Sequence, residues 1–202
     1  MCKIILSREN LFKFNMKENY TFNFIVFFTF FLISSYSHAA ITVLGKGDAT
    51  LCYHGAKFGY ENRSIINKCK NALNDNSLSP KNKAATYVNL GIIYNNSSQP
   101  DKALLTLNKG KEYDGVRSEV ALNSGNSYYL KRNYNKALKL YEKSFELGIK
   151  DKSAVFFNIG LVYEKLNNIE KAIFHYKKAI ELKPEFLTYF EKKVQLVQLG
   201  KW

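Results

Sequence analysis

The chain is predicted to be all-α, an antiparallel helix-pair solenoid with a capping element at each end, and three observations carry that prediction. The first is a pattern written three times, Gly91-x2-Tyr94, Gly125-x2-Tyr128 and Gly160-x2-Tyr163, at spacings of 34 and 35 residues. Self-similarity at such a period is the signature of stacked supersecondary units. The second is the apolar spacing inside each copy: Tyr87, Leu90 and Tyr94, then Ala103, Leu104 and Leu107, mark one face of a helix followed by one face of another. The third is a polar breaker between the two faces, Asn95 to Pro100, Lys131-Arg132-Asn133 and Leu166-Asn167-Asn168. One helix pair cannot bury its apolar face alone, and about three stacked pairs are the minimum for a stable array.

Taken in order, residues 1–39 read as a secretory signal. Lys17 precedes the apolar run Phe22 to Ile33, and Ser37-His38-Ala39 offers a small-x-small cleavage site. Met16 is an alternative start, and an uncleaved anchor extending to Tyr36 is the competing reading. The run is shorter than the roughly 20 residues a membrane span needs. Cleavage would place the protein in the periplasm or outside the cell, beginning at Ala40. Residues 40–83 form an N-terminal segment and a degenerate helix pair, Ala49–Phe58 and Ser64–Leu73, which carries Cys52 and Cys69. Set on antiparallel helices about a turn near Gly59–Arg63, the two cysteines face each other and can form a disulfide worth about 3 kcal/mol. Two buried free thiols are the alternative; a metal site would need more ligands than His54 adds. The repeats then occupy 84–117, 118–152 and 153–186, and 187–202 is a C-terminal capping helix whose Phe190, Val194 and Val197 continue a face begun by Phe186.

Each copy continues with an alanine twelve residues after the glycine (Ala103, Ala137, Ala172), then Leu107, Tyr141 or Tyr176, then Gly110, Ser144 or Ala179. This resembles the tetratricopeptide repeat. Phe156, Ile159, Gly160, Tyr163, Ala172, Tyr176, Ala179 and Pro184 fill its positions in the third copy. The first two copies depart from it, with Gly115 and Ile149 in place of the proline and Ser124 before Gly125. The resemblance implies a right-handed superhelix whose concave groove is lined by the first helix of each repeat. The N-terminal segment also resembles small exported bacterial repeat proteins in its Ile41-Thr42-Val43-Leu44-Gly45 opening, its Cys52-Tyr53 pair and the second cysteine, Cys69, before Ala72-Leu73. The glycines, costly by about 1 kcal/mol in a helix, are expected to admit close approach of the partner helix opposite Ala103, Ala137 and Ala172.

The groove residues that follow are Asn89, Ile92 and Asn96, then Asn123, Asn126 and Tyr129, then Asn158, Leu161 and Lys165. Asn89, Asn123 and Asn158 stand at one repeat position, two residues before the glycine. Each amide offers an acceptor and two donors, a match for the N–H and C=O of an extended peptide; capping of neighbouring backbone or tight helix packing is the alternative role. The expected partner is therefore a peptide or protein. A clamp of paired lysines for a C-terminal carboxylate is missing.

Of 30 Lys and Arg, four precede residue 40, and of 17 acids, two, which leaves 26 against 15 and a net charge of +11 for residues 40–202. Such a charge suits an anionic lipid or glycan of the envelope, although lysines such as Lys136, Lys139 and Lys143 equally suit the solvated face of a second helix. Nucleic acid is not an expected partner, since no nucleic-acid motif is present. Only His54 and His175 remain beyond residue 39, and Gly45-Lys46-Gly47 lacks the flanking Gly and Ser/Thr of a phosphate loop. The chain is expected to be non-enzymatic, without cofactor or metal.

Overall fold

A computed structural model describes residues 39–43, 47–184 and 187–200. The predicted signal, apart from Ala39, lies outside the described residues, as do Gly45-Lys46, Phe186 and the Phe190 side chain. Among the described residues there are nine α-helices and no strand. They are α1 (Asp48–Phe58), α2 (Arg63–Asn74), α3 (Pro80–Asn96), α4 (Pro100–Gly110), α5 (Arg117–Leu130), α6 (Tyr134–Glu146), α7 (Lys152–Lys165), α8 (Ile169–Leu182) and α9 (Leu187–Gln198), with a 3-10 turn at Asp114–Val116. None of the described helices is long and apolar enough to cross a membrane. Helices pair as α1/α2, α3/α4, α5/α6 and α7/α8, each pair packs on the next, and α9 packs on α8.

Helix starts follow from local chemistry. Asn62, Ser79, Asn133, Asp151 and Asn168 are N-caps whose side-chain oxygens accept from the backbone N–H three residues on, while Pro80 and Pro100 stand in the first turn, where a missing N–H costs nothing. The breakers inside the three repeats are the same turn built from different residues. Ser98, Arg132 and Asn167 have φ of 55°, 58° and 57°, and the next N–H returns to a carbonyl five residues back: Gln99 to Tyr94 at 2.8 Å, Asn133 to Tyr128 at 2.9 Å and Asn168 to Tyr163 at 2.8 Å. A left-handed residue followed by this long return bond is a helix C-terminal motif that usually employs glycine. It recurs at the repeat spacing inside all three repeats.

The repeat glycines do admit close packing, but against a different residue from the expected alanine. A Cβ at Gly125 would stand 2.4 Å from the ring of Tyr141, one at Gly160 2.5 Å from Tyr176, and one at Gly91 2.6 Å from Leu107. The large residue of the second helix lies across the glycine of the first, and both tyrosines are fully buried. The alanines, also fully buried, lie one turn earlier on that helix.

Two apolar clusters result. One joins α1 and α2 to the first repeat through Cys52, Val88, Ile92 and Leu107; the other joins the second and third repeats to Val197 of α9. Cys52 and Cys69 form a disulfide between α1 and α2, with Cα atoms 4.8 Å apart, and both are fully buried. On α9, Val197 is buried and Val194 packs beside it, while Glu191, Lys192, Gln195 and Gln198 are exposed.

Candidate functional site: a buried asparagine row

The predicted groove residues separate into three groups. Asn89, Asn123, Asn126 and Asn158 are fully buried polar side chains. Ile92, Tyr129 and Leu161 lie in the core, at 0%, 5% and 4% exposure, and not on an open groove wall. The physical reason is helical spacing: Ile92 and Leu161 follow Asn89 and Asn158 by three residues and share their covered face. Asn96 is half-buried and Lys165 exposed, each the last residue of its helix.

An amide buried without partners costs about 1 to 3 kcal/mol, so the question for each asparagine is what satisfies it. Asn89 is satisfied by a segment from outside the repeats. Its Oδ1 accepts from the Ile41 N–H at 2.9 Å and its Nδ2 donates to the Ile41 carbonyl at 2.8 Å. One side chain thus takes both backbone groups of one residue. Those groups point to the same side only where the backbone is extended, as in a hydrogen-bonded strand pair. Asn123 donates to the Glu119 carbonyl of its own helix at 2.8 Å and, at a longer 3.4 Å, to the carbonyl of Ala39.

Asn158 is turned inward instead. Its Nδ2 donates to Asn126 Oδ1 at 2.9 Å, and that oxygen also accepts from the Tyr141 hydroxyl at 3.0 Å. The three equivalent amides therefore do not form one free row; the first two meet Ala39–Ile41, and the third links repeats two and three.

Sequence reasoning missed two further polar residues. Asn95, fully buried, donates to the Asn123 carbonyl at 2.9 Å and accepts from Ser127 Oγ at 2.7 Å, tying α3 to α5. Glu164, 2% exposed, accepts from the Tyr176 hydroxyl at 2.6 Å and from Lys193 of α9 at 2.9 Å. Asn95, Tyr129 and Glu164 each follow the repeat glycine by four residues, and all three are buried. The repeat register was the signal that could have found them.

His175 stacks with Tyr163 at 5.4 Å and Phe156 at 5.9 Å. Burial, with a smaller contribution from Lys171, holds its pKa below the ordinary value of 6.5. Its Nδ1 is buried without a partner. On the second-helix side, a cleft of about 630 Å³ between the first two repeats is lined by Leu104, Leu105 and Leu140 together with Lys111, Arg117 and Lys136. Among the described residues no three His, Cys, Asp or Glu side chains converge as a metal site would require.

Stacked antiparallel helix pairs with a common intra-pair turn define the class: a helical repeat protein of solenoid architecture. The model of the tetratricopeptide repeat matches residues 153–186. The third helix pair is thus matched as a tetratricopeptide repeat. Two solved structures share the chain's fold, both of MamA: one is 22% identical, with 78% of this chain and 86% of that chain covered and a TM-score of 0.56. The other is also 22% identical, with 76% and 82% covered and a TM-score of 0.52. No curated protein matches the chain. Tetratricopeptide folds serve as scaffolds for protein–protein interaction.

Proposed function

We propose that this protein is an exported, non-enzymatic binding module that holds a peptide or a segment of a partner protein by its backbone along the first helices, with Asn89 and Asn123 as the reading amides. The observation that carries the reading is the two-way pairing of Asn89 with Ile41. It supports a site that accepts both backbone groups of an extended residue and is indifferent to its side chain. Recognition of this kind tolerates many sequences, and neighbouring apolar contacts select among them. Export to the periplasm or beyond is supported by the disulfide, since such bonds persist in oxidising compartments. Of the other predicted groove residues, Asn126 and Asn158 pair with each other, Ile92, Tyr129 and Leu161 lie in the core, and Asn96 and Lys165 stand at helix ends.

The test is capture of a partner from envelope extract by the wild-type protein and by the Asn89→Ala/Asn123→Ala variant, the captured protein then being purified and titrated. Binding through the groove predicts loss with the variant and retention at high salt. Undiminished affinity in the double variant contradicts it.

A second reading, that a basic face binds anionic lipid or glycan, draws on the cleft where Leu104 and Leu105 meet Lys111 and Lys136. Exposed charge contacts weaken as the screening length falls from about 10 Å at 0.1 M salt to about 3 Å at 1 M. Co-sedimentation with phosphatidylglycerol vesicles that disappears in 1 M salt and persists in the asparagine variant would favour this reading.

A further inference from the structure

We infer that Ala40–Val43 is a resident occupant of the groove, seated on the Asn89 amide that a partner peptide would use, and that the partner is an extended apolar segment which must displace it. The inference rests on the reading just proposed, that first-helix amides take a partner's backbone.

The segment comes from outside the repeats. Ile41 lies 48 residues before Asn89, and Ala39 lies 84 before Asn123. Its polar attachment uses only main-chain groups: the Ile41 N–H and C=O and, just before the segment, the Ala39 C=O. Every non-proline residue carries the same pair of groups, so these contacts are open to exchange with any extended segment, unlike the Asn126–Asn158 pairing inside the fold.

The side chains indicate what else the seat accepts. Ile41 is half-buried, Thr42 exposed and Val43 buried, the alternation of an extended chain with one face down. Ala40 and Ile41 pack against the N-terminal apolar cluster and Ala39 against the C-terminal one. With Ala39 the segment thus spans the two clusters where α3 and α5 adjoin. A fitting partner is an extended stretch with small residues followed by alternating β-branched ones. Acidic or bulky residues at the positions of Ile41 and Val43 are disfavoured. Ile41 and Val43 both follow the predicted cleavage point, so a protein beginning at Ala40 keeps the pairing with Asn89 and loses only the longer Ala39–Asn123 contact.

An occupied groove lowers the apparent affinity for a competitor by the fraction of molecules in which it is open, and a tethered occupant acts at a high effective concentration. The full chain is therefore titrated, by fluorescence anisotropy, with a labelled synthetic peptide Ala-Ala-Ile-Thr-Val with blocked ends. Val43→Asp places a charge where a buried valine sits, and Ile41→Pro removes the N–H that Asn89 accepts while leaving every helix untouched. Either variant is expected to bind the probe at least about tenfold more tightly than wild type. Adding Asn89→Ala is expected to remove the gain. If Val43→Asp fails to fold, Ile41→Pro carries the test, with circular dichroism as the check.

Equal affinity in wild type and both strap variants, with Asn89→Ala still abolishing binding, overturns the resident segment and leaves the groove reading intact. Absence of probe binding by either folded strap variant overturns the groove reading as well.

Discussion

The two ends of the solenoid close the same kind of apolar face by different means. At the N-terminal end the first repeat is covered by a helix pair joined by a buried disulfide, and its Asn89 is satisfied by an irregular segment of chain. At the C-terminal end the third repeat is covered by a single helix, α9, whose Lys193 pairs with buried Glu164, and its Asn158 is satisfied from within the repeats. Equivalent positions have thus taken unlike partners. A buried amide constrains only that it be satisfied; whether its partner can be exchanged for a ligand depends on whether that partner belongs to the packed repeats. The N-terminal end is where the proposed exchange would take place.

The comparison breaks most completely if the third repeat is disrupted. In Gly160→Leu even the Cβ meets the Tyr176 ring, which is fully buried. A cost of about 3 kcal/mol or more is expected, at the upper end for overpacking. Because repeats touch only their neighbours, thermal melting should become biphasic, the second repeat and α9 loosening first while the disulfide-linked end persists. A single cooperative transition at the wild-type temperature would mean that the pairing of α7 with α8 is misassigned.

Cys69→Ala should cost about 3 kcal/mol, the chain-entropy value for a loop of this size, read as a lower denaturant midpoint under non-reducing conditions. Wild type should show no titratable thiol at residue 52 or 69 after unfolding without reductant. Two such thiols would remove the covalent half of the comparison.

Glu164→Ala leaves the Tyr176 hydroxyl and the Lys193 ammonium without their shared acceptor. The expected loss is about 1 to 3 kcal/mol, moderated because Lys193 is partly exposed and can turn to water. Lys193→Met should be milder, since it leaves the Tyr176 bond. Equal effects from the two variants would argue that the ion pair and not the hydroxyl holds α9.

The smallest effect is pH-dependent. Burial lowers the pKa of His175, so the folded state binds fewer protons than the unfolded chain below pH 6.5. Stability contributed by the neutral ring is fully present above that value and is lost as pH falls toward the depressed folded value. Replacing His175 with Phe should flatten this part of the stability–pH profile. A profile with the same slope in both proteins would place the pH dependence elsewhere.

The repeats were legible because they are periodic: glycine, tyrosine and alanine recur in register, and the three turns share one backbone shape although Ser98, Arg132 and Asn167 have nothing chemical in common. The pairing of Cys52 with Cys69 was also readable, from two helices about one turn. What periodicity did not convey was identity across distance. The partner of Asn89 lies in an irregular stretch 48 residues away, with no pattern of its own. Nothing in the sequence around Lys193 signalled that Glu164 would need it. The glycines were correctly tied to close approach, but the spacing could not tell a small residue opposite them from a ring laid across them.

Asn89 takes main-chain groups, those of Ile41. Amide hydrogen exchange of Ile41, followed by NMR in the folded protein, tests this pairing most directly. Protection well above that of exposed Thr42 is predicted in wild type, and its loss in Asn89→Ala, with the amides of α3 unchanged. Free exchange of Ile41 in wild type, or protection that survives the loss of the Asn89 amide, would contradict the account.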